Sequence, residues 1–79
     1  MSRFEILVPD LGLESEEIKF GVWLKKAGET VEAGEDLFEI ESDKATVVCE
    51  AESGGVLAQV AVTEGVVQTG DVLGYIETS

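Results

Sequence analysis

The chain is expected to fold as a small all-β sandwich of two sheets with approximate two-fold symmetry. Three observations predict this. Apolar residues alternate at period two in several short runs, and no stretch sustains a helical period. Turn signals separate the runs, at Gly12, Gly28, Gly34, Ser53-Gly54-Gly55, Gly65 and Gly70. Finally, Gly34-Glu35-Asp36-Leu37-Phe38-Glu39-Ile40-Glu41 matches Gly70-Asp71-Val72-Leu73-Gly74-Tyr75-Ile76-Glu77, thirty-six positions later.

The runs follow in order. Phe4, Ile6 and Val8 share one face of a first strand, which Pro9-Asp10 ends, since proline cannot donate to a ladder. Ile18, Phe20, Val22 and Leu24 are expected on one face of a second strand, with Lys19 and Lys25 opposite. Leu37 to Ser42 forms another, in which Leu37 with Ile40 breaks alternation, as Leu73 with Ile76 does in the matching segment. A shared irregularity is stronger evidence of a repeat than shared alternation, which any strand shows. Ala45, Val47, Cys49 and Ala51 alternate against Thr46, Val48, Glu50 and Glu52. Val56, Ala58, Val60 and Val62 are expected to share a further face. Gly28 matches Gly65 at a neighbouring offset, so the two intervening loops differ by one residue. Two such units would bury their apolar faces against each other. The hairpin after the first half and the chain ends after the second should then lie at opposite ends of the molecule.

Seventy-nine residues make one domain, 1–79, with a core only just large enough to stand alone. A single cysteine permits no internal disulfide, and without histidine zinc has no ligand set. Regular packing is the remaining source of stability, and 44% apolar residues with nine glycines suits it. A net charge of −12 disfavours nucleic acid and anionic membranes, both of which select Lys and Arg. The charge serves as a solubility device that keeps the domain monomeric, or as steering towards basic partners; sign alone does not choose. The N-terminus has no apolar signal-peptide region, and no run reaches the ~18 apolar residues of a membrane span. A free thiol and no export signal suggest a reducing interior, either bacterial cytoplasm or the mitochondrial matrix for an excised domain. No histidine and no nucleophile–base pair point to an independent enzyme.

Between Leu37–Ser42 and Ala45–Glu50 stands Asp43-Lys44, which puts a lone lysine at a hairpin tip. The pair lacks the glycine favoured by primed hairpin turns, so a type I geometry is expected. By pattern alone Lys44 is either an ordinary exposed lysine or an attachment point that no neighbour competes for. Glu41-Ser42-Asp43-Lys44-Ala45-Thr46 resembles the E-(T/S)-D-K-A motif of lipoyl domains, the swinging-arm carriers of 2-oxo-acid dehydrogenase complexes. Val8-Pro9-Asp10-Leu11-Gly12, Trp23 to Val31, Ala33 to Leu37, Gly54 to Leu57 and Gly70 to Ile76 extend the resemblance along the chain.

The resemblance implies a barrel-sandwich hybrid, a flattened barrel of two four-stranded antiparallel sheets. It implies lipoic acid amide-linked to N6 of Lys44, with Asp43 and Ala45 flanking it. Implied partners are a thiamine-diphosphate 2-oxo-acid decarboxylase, an acyltransferase core using coenzyme A, a dihydrolipoyl dehydrogenase, and a lipoyl ligase or transferase. The domain itself is then no enzyme but a module of a dihydrolipoamide acyltransferase, with Met1 at its head suggesting the N-terminal one. The loop Leu11-Gly12-Leu13-Glu14-Ser15-Glu16-Glu17, with Glu41, is implied in recognition by the decarboxylase; otherwise its glutamates form a solvated turn.

The chain departs from the family after the motif. Many members carry Glu-Val-Pro-x-Pro where this one has Val48-Cys49-Glu50-Ala51-Glu52. Cys49 is expected to be a buried apolar residue rather than a reactive thiol, and Trp23 a partly buried packing residue. A biotin carrier has A-M-K-M, and Asp43 and Ala45 replace both methionines. The glycine-cleavage carrier is a longer chain, and structural members such as efflux-pump adaptors lack the modified lysine.

Overall fold

The computed structural model describes residues 2–10, 17–43 and 45–78. Its strands are β1 (Ser2–Leu7), β2 (Ile18–Trp23), β3 (Thr30–Val31), β4 (Asp36–Glu41), β5 (Thr46–Glu50), β6 (Gly55–Val60), β7 (Gly65–Val67) and β8 (Val72–Thr78). Sheet I has the order β1-β8-β6-β3 and sheet II the order β5-β4-β2-β7, and every pairing is antiparallel. The two do not close into a barrel. A cleft of about 520 Å³ runs between edge strands β1 and β5, lined by Phe4, Ile6, Val47 and Cys49 among others.

The repeat read from the sequence is a two-fold relation between the sheets. β4 and β8 correspond, and in each the buried pair Leu37-Phe38 or Leu73-Gly74 is followed by a buried isoleucine. Leu37 and Leu73 are the skipped residues of bulges against β5 and β1, which accounts for the shared break in alternation. The glycines of matching turns adopt matching left-handed conformations: Gly28 with Gly65 (φ 96° and 98°), Gly34 with Gly70 (92° and 91°). Only glycine takes these without a Cβ penalty.

The core joins Ile6, Val8, Ile18, Phe20, Leu37, Phe38, Ile40, Leu57, Leu73 and Ile76 from both inner faces. Cys49 and Ala51 are buried with them, and Val47 packs against them, as their alternation predicts. Two expected faces are corrected. Val22 and Leu24 do not follow Ile18 and Phe20 inward but are exposed. A bulge at Gly21 lets Val22, not Gly21, face Glu39, which reverses the alternation and turns Trp23 to the core. On β6, Val56 is exposed and Leu57 fully buried. The corresponding bulge at Ala58 then restores Val60 and Val62 to the inner side. Strands β3 and β7 were not delineated by pattern, being too short to show a period.

Candidate functional site

The hairpin β4–β5 is held in register up to its tip: Glu41 faces Thr46, and the N–H of Ser42 donates to the carbonyl of Ala45 at 2.8 Å. The serine hydroxyl completes the closure. It donates to the Ala45 carbonyl at 3.1 Å and accepts from the Ala45 N–H at 3.2 Å. Serine thus takes the place of a backbone carbonyl in the tight turn, a substitution its short hydroxyl suits. Between Ser42 and Ala45 the sequence has two residues, Asp43 and Lys44. Asp43 has a negative φ, which excludes both primed turns as the missing glycine predicts. Lys44 itself lies outside the described residues.

The tip is far from the chain ends. The connection leaving β2 beyond Trp23 arrives at Thr30, which faces Val56, and Val56 in turn faces Glu77 on the terminal strand. The end of β2 remote from the hairpin is therefore beside the chain ends, in a molecule 38 Å long and 19 by 17 Å across. The two-fold relation makes Ser2 and Thr78 the counterparts of Ala45 and Ser42.

Of the residues expected at the site, Asp43 and Ala45, on either side of Lys44 in the sequence, are both exposed. Glu41 is exposed at the end of β4, with Lys19 of β2 and Thr46 of β5 on either side. Glu17 precedes β2 by one residue, and the pairing of Lys19 with Glu41 brings it level with the tip. Leu11, Gly12, Leu13, Glu14, Ser15 and Glu16 lie outside the described residues. Pattern reading missed Ser42 as the closing residue; its signal was a hydroxyl three positions before Ala45, at a turn without glycine or proline.

Among the described residues there is no group of side chains that could hold a metal, and the ion pair Lys25–Glu35, at 3.1 Å, follows β2 on the far side. Lys25, expected opposite the apolar face of the second strand, is thus paired. Glu35 accepts from the Glu32 N–H at 2.7 Å, and that bond, then Lys25, holds its carboxyl below the ordinary value. Burial pushes the Cys49 thiol up. Among the described residues no helix is long and apolar enough to cross a membrane.

Comparison with known proteins agrees with the geometry. A family model described as "Biotin-requiring enzyme" (Biotin_lipoyl) matches residues 4–76. The chain is 44% identical over 73 residues to the dihydrolipoyllysine-residue succinyltransferase component of the Bacillus subtilis 2-oxoglutarate dehydrogenase complex, covering 91% of this chain and 18% of that one. It is 44% identical over 61 residues to the mouse mitochondrial pyruvate dehydrogenase protein X component, covering 77% and 12%. With the acetyltransferase component 2 of the Arabidopsis thaliana mitochondrial pyruvate dehydrogenase complex it shares 42% over 71 residues, covering 87% and 13%. The chain therefore spans less than a fifth of the length of these relatives.

Proposed function

The chain belongs to the Biotin_lipoyl family, and from that premise we propose that it is a lipoyl carrier module of a 2-oxo-acid dehydrogenase acyltransferase, modified on Lys44. The observation that carries this reading is a hairpin closed by Ser42 and Ala45, remote from the chain ends, with Asp43 and Lys44 between them in the sequence. Family membership alone leaves lipoate and biotin open. The flanking Asp43 and Ala45, where biotin carriers have methionine, favour lipoate.

Amide formation between lipoate and N6 of Lys44 removes the lysine charge and leaves a long neutral arm ending in a dithiolane. The decarboxylase supplies a nucleophilic acyl equivalent from the 2-oxo acid. Held on Lys44, the dithiolane would supply the acceptor for that acyl group and its electron pair, carbon dioxide having left the 2-oxo acid. The acyltransferase core passes the acyl group to the thiol of coenzyme A, and a flavin dehydrogenase reoxidises the dithiol. The domain contributes recognition and a high local concentration of the arm. Glu17 and Glu41, beside the tip, and the loop 11–16 are the proposed recognition residues. The relatives' locations suggest bacterial cytoplasm or the mitochondrial matrix.

The test is intact mass after incubation with lipoyl ligase, lipoate and ATP. A lipoyl increment is expected, and it should be absent from Lys44→Ala. No increment, or a biotin increment with a biotin ligase, overturns the reading. Acylation with pyruvate or 2-oxoglutarate decarboxylase then separates the substrates.

A further inference from the structure

The two-fold relation gives an internal control: where the outer faces of the two sheets differ at matched positions, the fold itself is not the reason. The central cross-strand row of sheet II is Val48–Glu39–Val22. Its counterpart in sheet I is Glu5–Tyr75–Gln59. One row places an acid between two valines, each nearly half exposed at 46% and 47%; the other is polar around an aromatic ring. The contrast continues outward. Leu24 donates its N–H to Leu37 as Ala61 does to Leu73, both at 2.8 Å, yet Leu24 is 41% exposed where sheet I has alanine. At the matched pairs Lys19–Val66 and Val56–Thr30 the faces are alike, each carrying one exposed valine, Val66 at 58% and Val56 at 40%.

In charge the two faces differ at the central row. In sheet I, Arg3 faces Glu77 and stacks its guanidinium 5.6 Å from the centre of the Tyr75 ring. Sheet II has a matching cation one row from Glu39, where Lys19 faces Glu41. In sheet II, Glu39 has valine on both sides, and among the described residues it takes part in no ion pair. An acid flanked by half-exposed apolar side chains fits an Arg or Lys whose aliphatic stem covers the valines and whose head meets the carboxylate.

We propose that the outer face of sheet II, centred on Val22, Glu39 and Val48 and continuing to Glu41 beside the hairpin, docks a positively charged protein surface with apolar residues around its cations. Resting on the carrier role above, that surface belongs to the decarboxylase that acylates the arm. Docking there brings the hairpin end of sheet II against the partner.

The test uses the lipoylated domain with pyruvate and 2-oxoglutarate decarboxylases, reading kcat/KM for reductive acylation. Val22→Thr/Val48→Thr and Glu39→Gln alter sheet II; Glu5→Gln and Gln59→Ala alter the matched positions of sheet I. Unchanged thermal unfolding verifies that the exposed substitutions leave the fold intact. Each sheet II variant is expected to lose about tenfold in kcat/KM, the scale of one modest interface residue. Sheet I variants should stay within about twofold, as surface positions outside an interface do. Glu39→Gln should also weaken the dependence of the rate on salt. Equal losses on both faces, no loss on either, or a lipoylated domain that neither enzyme acylates overturns the inference. Failure of lipoylation, read separately by intact mass, overturns the carrier reading instead.

Discussion

Ser42 and Thr78 hold the same position in the two halves, and each donates its hydroxyl to the carbonyl facing it. Ser42 reaches Ala45 at 3.1 Å, and Thr78 reaches Ser2 at 3.2 Å. The lysine hairpin is thus built on the same plan as the pairing of the chain ends. At the hairpin, however, the hydroxyl also accepts the Ala45 N–H, so one side chain satisfies both polar groups of the last paired residue.

Ser42→Ala should therefore cost more than Thr78→Val. Both bonds are exposed, so the expected loss for Ser42→Ala is about 0.5–1 kcal/mol, or about 3–6 °C in Tm for a domain of this size. The lipoylation rate at Lys44 should fall several-fold with it, because the tip is no longer held. Thr78→Val should leave that rate unchanged. Thermal unfolding and timed intact mass read the two effects.

Gly74→Ala should be severe, although alanine normally suits a strand better. Gly74 stands where the other half has Phe38, and the difference is taken up by Trp23. An added Cβ at Gly74 would meet the Gln59 carbonyl and come 3.4 Å from the Trp23 ring. Trp23 cannot retreat freely. Its indole N–H donates to the Val62 carbonyl at 2.7 Å, and its ring packs 5.2 Å from Phe20 and 5.6 Å from Phe38. A loss of about 1–3 kcal/mol is expected, as for other overpacked sites. Urea unfolding checks it, and a neutral outcome would show that β6 and β8 can part.

The repeat, the turns and the hairpin were legible because they recur: the same glycines and the same Leu–Ile irregularity mark both halves. What periodicity could not show was where it changes phase. Gly21 and Ala58 are ordinary strand residues until their partners are known, and each bulge exchanges the inner and outer faces beyond it. That is why Val22 and Val56 looked buried and Leu57 did not. The motif around Lys44 was legible as a resemblance, whereas the closing role of Ser42 depends on a hydroxyl direction that spacing does not give.

Glu35 should make stability fall at acid pH. Its folded carboxyl lies below the ordinary 4.5, first because of the Glu32 N–H and then because of Lys25. A depressed carboxyl contributes stability above the unfolded value and loses it as pH falls through the folded one. Wild type should thus exceed Glu35→Ala in Tm at pH 6. The gap should narrow as pH drops below about 4.5 and close at lower pH. A gap that is constant from pH 6 to 3 would mean the charge contributes nothing.

Cys49 should be inert towards the arm carried five residues away. It points inward from β5, is buried, and desolvation raises its thiol above the ordinary 9.0. Attack on a dithiolane needs the thiolate, and raising the pKa by one unit lowers its fraction about tenfold at pH 8. Burial adds an access barrier. Folded protein should accordingly react with iodoacetamide at least about tenfold more slowly than protein unfolded in urea. The lipoylated, oxidised domain should show no mixed disulfide between Cys49 and the arm by mass under non-reducing conditions. Rapid alkylation of the folded chain would place the thiol at the surface, on the side of the cleft between β1 and β5. A mixed disulfide would show in addition that the arm itself reaches that cleft.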